Sequence, residues 1–208
     1  MMVLAIDTCG ATGSIALGRL ENGTIELLAQ AELAGKTYSA QLVPAVRILL
    51  AGQNADAGAL NALVVVNGPG SFTGVRIGVS SAKGLAEALA VPLLAVSRLA
   101  VLAWKAGTER AALDAGRNEF YFRDGSREGL CAAKDAPLLA PGAVAVCEPS
   151  ALQAFPEAAM VEPPTAGEAL RFAVPRLLAG DFADVVMLDG NYLRRSDADI
   201  FAKPTGKA

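Results

Sequence analysis

The loop Asn67-Gly68-Pro69-Gly70-Ser71-Phe72-Thr73-Gly74 is the stretch best suited to chemistry. Glycines ahead of a helix leave N–H groups free to meet a phosphate or another anion. Two standard cradles can be tested on it. A P-loop ends in glycine, lysine and Ser or Thr, but Gly74 is followed by Val75 and Arg76. The dinucleotide fingerprint puts two residues between its last two glycines, whereas Gly70 and Gly74 enclose three. Two readings stay open: an anion site of another kind, or a tight turn whose helix is capped by Ser71 or Thr73. A pair of aspartates forms the second constellation. Leu4-Ala5-Ile6-Asp7 and Ala111-Ala112-Leu113-Asp114 are apolar runs that end in aspartate and pass into a small-residue turn. A phosphotransferase would need both carboxylates at one magnesium–nucleotide site. The nucleotide candidates are therefore Asp7, Thr8, Gly70, Ser71 and Asp114. No histidine occurs, which excludes Ser-His-Asp and Cys-His nucleophiles and histidine-ligated metal. No catalytic residue and no metal site is assigned.

The elements around these residues read as an α/β fold. Ala62-Leu63-Val64-Val65-Val66 has the β-branched character of a strand buried on both faces. Val75 to Ala90 repeats apolar residues at helical spacing, and Pro92 to Val96 is a second buried strand. Strand, glycine loop, helix, strand predicts a parallel pair with a right-handed crossover. Gly74, Gly78 and Gly84 cost the helix roughly 0.8–1.0 kcal/mol each at interior positions. With Ser81 and Ala88 they lie roughly along one side, either for close packing within the chain or for contact with another chain. Val3–Ile6, Ser14–Leu17 and Thr24–Leu33 are the expected first strands, the last two joined by Asn22-Gly23. Leu42–Ala51 is a helix with Ser39 as its cap and Pro44 in its first turn; Ser97–Gly107 is another. The second aspartate run opens a shorter set: Glu119–Arg123, a strand at Ala143–Cys147, proline loops at Pro137–Pro141 and Pro163-Pro164, and a helix at Thr165–Leu178. The repeat predicts two related lobes, 1–108 and a smaller 109–208, the second too small for a complete nucleotide cleft.

Composition limits the partners. The chain has 208 residues, net charge -3 and 53% hydrophobic residues. Bulk charge favours neither nucleic acid nor an anionic membrane. The N-terminus carries no secretory pattern and no apolar run reaches the ~18 residues of a membrane span. Three widely spaced cysteines, Cys9, Cys131 and Cys147, fit reduced thiols in a cytoplasm. Arg194, Arg195 and the lysines of the tail Lys203–Ala208 are the basic cluster, either a solvated terminus or a contact for a phosphate-bearing partner.

Together these residues resemble the TsaB (YeaZ) family. The likeness rests on Ala5-Ile6-Asp7-Thr8 with Gly13-Ser14-Ile15-Ala16-Leu17, and on Asn67 to Gly78 with Ala82-Lys83-Gly84-Leu85 and Pro92-Leu93-Leu94-Ala95-Val96-Ser97. Ala112-Leu113-Asp114-Ala115, Glu119-Phe120-Tyr121 and Tyr192-Leu193-Arg194-Arg195 extend it. The resemblance implies an actin-like ATPase fold of two duplicated lobes, the second reduced. It implies an accessory, non-catalytic role in making N6-threonylcarbamoyladenosine at position 37 of tRNAs reading ANN codons. The implied partner is the similar transferase TsaD, joined by the ATPase TsaE, with ATP possible where this chain meets TsaD. Alone, the chain would form a homodimer through the same surface, and tRNA would be met only through the complex. The contact residues expected are Leu42, Val46 and Leu49 on the first helix and Arg76, Gly78, Ser81, Lys83 and Glu87 on the second. TsaD carries a His-x-x-x-His metal motif after the strand equivalent to Leu93–Val96; here Ser97-Arg98-Leu99-Ala100-Val101 follows. Relatives often have a histidine before the first long helix, where this chain has Thr37-Tyr38-Ser39. The competing class is an enzyme: a small actin-like phosphotransferase or nucleotide-binding enzyme, or a peptidase, the last without a nucleophile and base.

Overall fold

The strand Ala62–Val66 is buried at every position and lies between the middle strand and an edge strand of a five-stranded sheet. The computed structural model describes residues 1–35, 37–139, 142–155 and 157–194. The first sheet has β1 (Met2–Asp7), β2 (Gly13–Glu21), β3 (Thr24–Leu33), β4 (Ala62–Val66) and β5 (Leu93–Val96) in the order β3-β2-β1-β4-β5. The hairpins β1–β2 and β2–β3 are antiparallel, and β1, β4 and β5 run parallel. Asn22 and Gly23 turn the β2–β3 hairpin with φ of 50° and 78°, the left-handed pair that matches strand twist. Two helices cover this sheet from the crossovers: α1 (Tyr38–Ala51) on β2 and β3, and α2 (Phe72–Leu89) on β4 and β1.

The second sheet repeats the plan. After α3 (Arg98–Ala106) come β6 (Arg110–Gly116), β7 (Glu119–Asp124), β8 (Arg127–Ala132), α4 (Ala136–Leu139), β9 (Val144–Val146), α5 (Pro149–Ala154) and β10 (Ala158–Met160). Their order is β10-β9-β6-β7-β8, again antiparallel hairpins on one side of the aspartate strand and parallel strands on the other. This is the duplicated actin-like architecture, and its second copy is smaller: the crossover helix of six residues in α5 answers one of eighteen in α2.

The last helix, α6 (Ala166–Ala179), has the expected limits, but it does not sit with the second sheet. It packs along all five strands of the first. Hydrogen bonds at its N-terminus explain this return: the N–H of Ala166 donates to Ser14 Oγ at 2.8 Å and that of Gly167 to Gln30 Oε1 at 3.0 Å. Thr165 and Glu168 close a capping box there. With α3 packed on β6, β7, β9 and α6, a helical layer fills the space between the sheets. Three local expectations change. Ser39 lies inside α1 rather than capping it; Thr37 holds the cap position, without a side-chain bond. Pro44 lies beyond the first turn, on an exposed position where water can serve the freed carbonyl. Residues 136–139, placed in a proline loop, make the short helix α4. The short strands β8 and β10 and the helix α5 carry no periodicity long enough to read from sequence.

Candidate functional site

The glycine loop is a turn that serves α2. Ser71 caps the helix, its Oγ accepting the N–H of Gly74 at 3.3 Å, and its own N–H donates to the Cys9 carbonyl at 2.8 Å. The helix glycines divide into two kinds. A side chain on Gly74 would strike the Thr8 carbonyl, and one on Gly78 would strike Thr8 Oγ1. Thr8 Oγ1 in turn donates to the Gly74 carbonyl at 2.6 Å. These two glycines let α2 lie directly on the end of β1. Gly84 is exposed, and a Cβ added there would meet nothing within 4 Å.

The outer faces of α1 and α2 form the more open surface. Val43 is 50% and Ile48 73% exposed on α1, beside exposed Pro44 and Arg47. On α2, Thr73, Arg76, Ser80, Gly84, Glu87 and Ala88 are exposed, and Ser81 is half-buried. Arg76 lies 3.9 Å over the ring of Phe72, which packs on Tyr192 at 5.3 Å between centroids. Four expected contact residues need correction. Leu42, Val46 and Leu49 are 1%, 4% and 7% exposed and belong to this chain's own core, because apolar side chains at that spacing point into the sheet. Gly78 is spent on Thr8. Lys83 donates to the carbonyls of Val186 at 3.1 Å and Leu188 at 2.8 Å, so it ties the C-terminal segment to α2. Beside this tie Val186 and Met187 are largely exposed; no periodic pattern marked them in the sequence.

The two aspartate hairpins face each other across a cleft of about 680 Å³. Of the nucleotide candidates, Gly70, Ser71 and Asp114 line it. Asp7 and Thr8 do not: they are 3% and 0% exposed behind it. Asp7 Oδ1 accepts the N–H of Cys9 at 2.8 Å. Burial pushes its carboxyl above the ordinary value, and the Arg98 charge and that hydrogen bond recover only part of the cost. Asp114 accepts the N–H of Gly116 and the hydroxyl of Ser150, both at 2.6 Å. The two carboxylates therefore do not converge on one open site, which removes the geometry a phosphotransferase needs. Burial likewise pushes all three thiols up, Cys147 to about 12, so none is a ready nucleophile at neutral pH. Among the described residues no cluster of three acidic or thiol side chains is placed to hold a metal.

The group that the sequence did not single out is Arg98, at the first turn of α3 and the inner wall of the cleft. It is 7% exposed, and burial is offset by the nearby carboxylate of Asp7, so its guanidinium stays charged. Among the described residues its side chain donates no hydrogen bond, and its Nε is wholly buried. An unpaired buried charged donor costs about 1–3 kcal/mol or more. Glu128 on β8 was also missed. It accepts Ser97 Oγ at 2.5 Å, Asn191 Nδ2 at 2.7 Å and Arg123 Nη1 at 2.7 Å, tying the second sheet to α3 and the C-terminal segment. Arg194 donates to the carbonyls of Ala115 at 2.8 Å and Gly116 at 3.2 Å and pairs with Glu119. It is bound within the chain; Arg195 and the tail lie outside the described residues.

Known proteins share this arrangement. A family described as "TsaD: tRNA N6-adenosine threonylcarbamoyltransferase" matches residues 28–186. The tRNA threonylcarbamoyladenosine biosynthesis protein TsaB of Escherichia coli (strain K12) is 38% identical over 134 residues, 62% of this chain and 56% of that protein. Its namesake in Bacillus subtilis (strain 168) is 40% identical over 125 residues, 58% of this chain and 53% of that one. The chain thus spans about half the length of these curated relatives. The solved structure of YeaZ from Pseudomonas aeruginosa superposes with a TM-score of 0.78 at 28% identity, covering 92% of this chain and 99% of that one.

Proposed function

This chain belongs to the TsaB (YeaZ) family, and from that we propose that it is a non-catalytic partner of a TsaD-type transferase in forming N6-threonylcarbamoyladenosine at position 37 of tRNAs reading ANN codons. The observation that carries the reading is the contrast between its two surfaces. Asp7 is sealed behind the cleft while Asp114 lines it, and burial keeps the thiols of Cys9, Cys131 and Cys147 protonated. The outer face of α1 and α2 exposes Val43, Ile48 and the small residues Ser80, Gly84 and Ala88 on stable helices. Small residues let a partner helix approach closely, and the exposed apolar groups gain by being covered. Arg76 and Glu87 stand on the rim, where charges set register and partner choice more than affinity. The same face would make a homodimer when TsaD is absent. TsaE would join the assembled pair, ATP would be held where the two proteins meet, and tRNA would be engaged in the cytoplasm by the complex rather than by this chain alone. No helix among the described residues is long and apolar enough to cross a membrane.

Gly84→Arg tests the docking face. The position has room, and arginine favours helix over glycine by about 0.8 kcal/mol, so the fold should gain slightly. Co-purification with the TsaD of the same genome should nevertheless be lost, and reconstituted tRNA modification with it. Gly78→Ala is the opposite control, losing stability through Thr8. Undiminished TsaD binding by folded Gly84→Arg would remove this face from the reading. Turnover of ATP or a peptide by the chain alone would overturn the non-catalytic assignment.

A further inference from the structure

We propose that the cleft between the two hairpins binds a free α-amino acid, its carboxylate on Arg98 and its ammonium group against Glu148 and Asp114. Arg98 points to the anion. Arg98 as a whole is more than nine-tenths buried, lines the cleft, and its guanidinium has no hydrogen-bond acceptor among the described residues. Only Nε is both unpaired and cut off from the surface, which leaves the two Nη nitrogens as the donors a ligand can reach. Those two form a planar fork that fits both oxygens of a carboxylate. Gly10 makes room for the fork: a Cβ there would lie 2.8 Å from Arg98 Nη2.

The opposite wall sets the rest of the ligand. Asp114 and Glu148 line the same cleft, linked by the Asp114 N–H donating to Glu148 Oε2 at 3.0 Å. One cation facing two carboxylates disfavours a phosphate or a polyphosphate, which would bring several more negative charges to an already acidic wall. An uncharged ligand would leave the guanidinium unpaired. A simple carboxylate would satisfy Arg98 but bring no cation to the acidic wall. A zwitterion answers both, and 680 Å³ leaves space for a side chain, with the Tyr121 ring among the lining groups.

The test uses the full chain in thermal-shift and calorimetric titrations. The probes are the standard L-amino acids, acetate, inorganic phosphate and ATP. At least one amino acid should raise the melting temperature and bind more tightly than acetate, with phosphate and ATP giving nothing comparable. Arg98→Met should abolish that binding. Glu148→Gln should weaken the amino acid by about tenfold, the worth of one charge-assisted hydrogen bond, and leave acetate unchanged. Glu148 is half-buried on the cleft wall, so this variant carries the decision if Arg98→Met does not fold. The proposal is overturned if no amino acid binds, if phosphate or ATP binds better, or if either folded variant binds the amino acid as the parent does.

Discussion

The two aspartate hairpins begin from the same local design and end in different surroundings. In each, the carboxylate accepts the N–H two residues on: Cys9 to Asp7 at 2.8 Å and Gly116 to Asp114 at 2.6 Å. This is the Asx turn expected of a short acidic side chain at a strand end. Each strand also pairs with a hairpin partner on one side and a parallel strand on the other. What differs is the cover. The long helix α2 lies across the end of β1, seated there by Gly74 and Gly78, and α6 packs against the same strand. The helices that pack most on β6 are α3 and the short α5. Asp7 is therefore sealed in beside Arg98, while Asp114 stays on the cleft wall with Ser150. A turn motif fixes how a carboxylate is held; the length of the helix above it decides whether the carboxylate meets solvent.

The largest test of that distinction is Asp7→Ala. Removing Asp7 takes from buried Arg98 its main nearby opposite charge and from the Cys9 N–H its acceptor, a loss of about 3 kcal/mol. Denaturant melts should show that loss, and Asp7→Ala combined with Arg98→Met should be less damaging than the sum of the two single changes. A loss no greater than that of the Asp114 counterpart would erase the contrast between the hairpins.

Acidity gives a second and gentler test. Burial raises the native carboxyl of Asp7 above its ordinary value of 3.8, and neither Arg98 nor the Cys9 N–H cancels this. Between 3.8 and the raised native value, the folded chain therefore binds more protons at this site than the unfolded one. The contribution of Asp7 is most favourable below that window and declines as pH rises through it, at no more than about 1.4 kcal/mol per pH unit for one proton. The difference in stability between parent and Asp7→Asn should show this falling slope. A difference that rises with pH over the same range would mean that the Arg98 charge, not burial, governs the carboxyl.

Much of the first sheet was legible because its signals are local and long. β4 is an unbroken apolar run, α2 keeps its period over eighteen residues, and Ser71, one of the two caps expected for that helix, caps it. The duplication was legible from two aspartates with matching runs before them. Illegible features depend on contacts distant in sequence. Nothing near Thr165 says that the following helix will dock on Ser14 and Gln30, more than a hundred residues earlier. Leu42, Val46 and Leu49 show the apolar spacing of a helix face, but spacing alone does not say whether that face meets the chain's own sheet or another molecule. Arg98 was passed over because an arginine at a helix start reads as a surface charge. Its burial follows from the glycine at position 10 and the aspartate at position 7, which reach it only once β1 and β5 lie in one sheet.

The smallest effect belongs to Asp114→Ala, and it is the informative one. The substitution removes the same Asx bond as in the first hairpin and, in addition, the bond from Ser150. By count of bonds alone it should cost more than Asp7→Ala. The side chain is open to the cleft, however, so water can replace it at the Gly116 N–H and the Ser150 hydroxyl. The net loss should be about 0.5–1.5 kcal/mol, the usual worth of a hydrogen bond exchanged with solvent. Arg194 holds the same turn from the other side through the Ala115 and Gly116 carbonyls, so the hairpin should keep its shape. Melts of Asp114→Ala and Ser150→Ala, with the double variant closing the cycle, would separate the two bonds. If Asp114→Ala proved as costly as Asp7→Ala, the turn itself would be setting the energy in both hairpins. The depth of cover provided by α2 would then have no part in it.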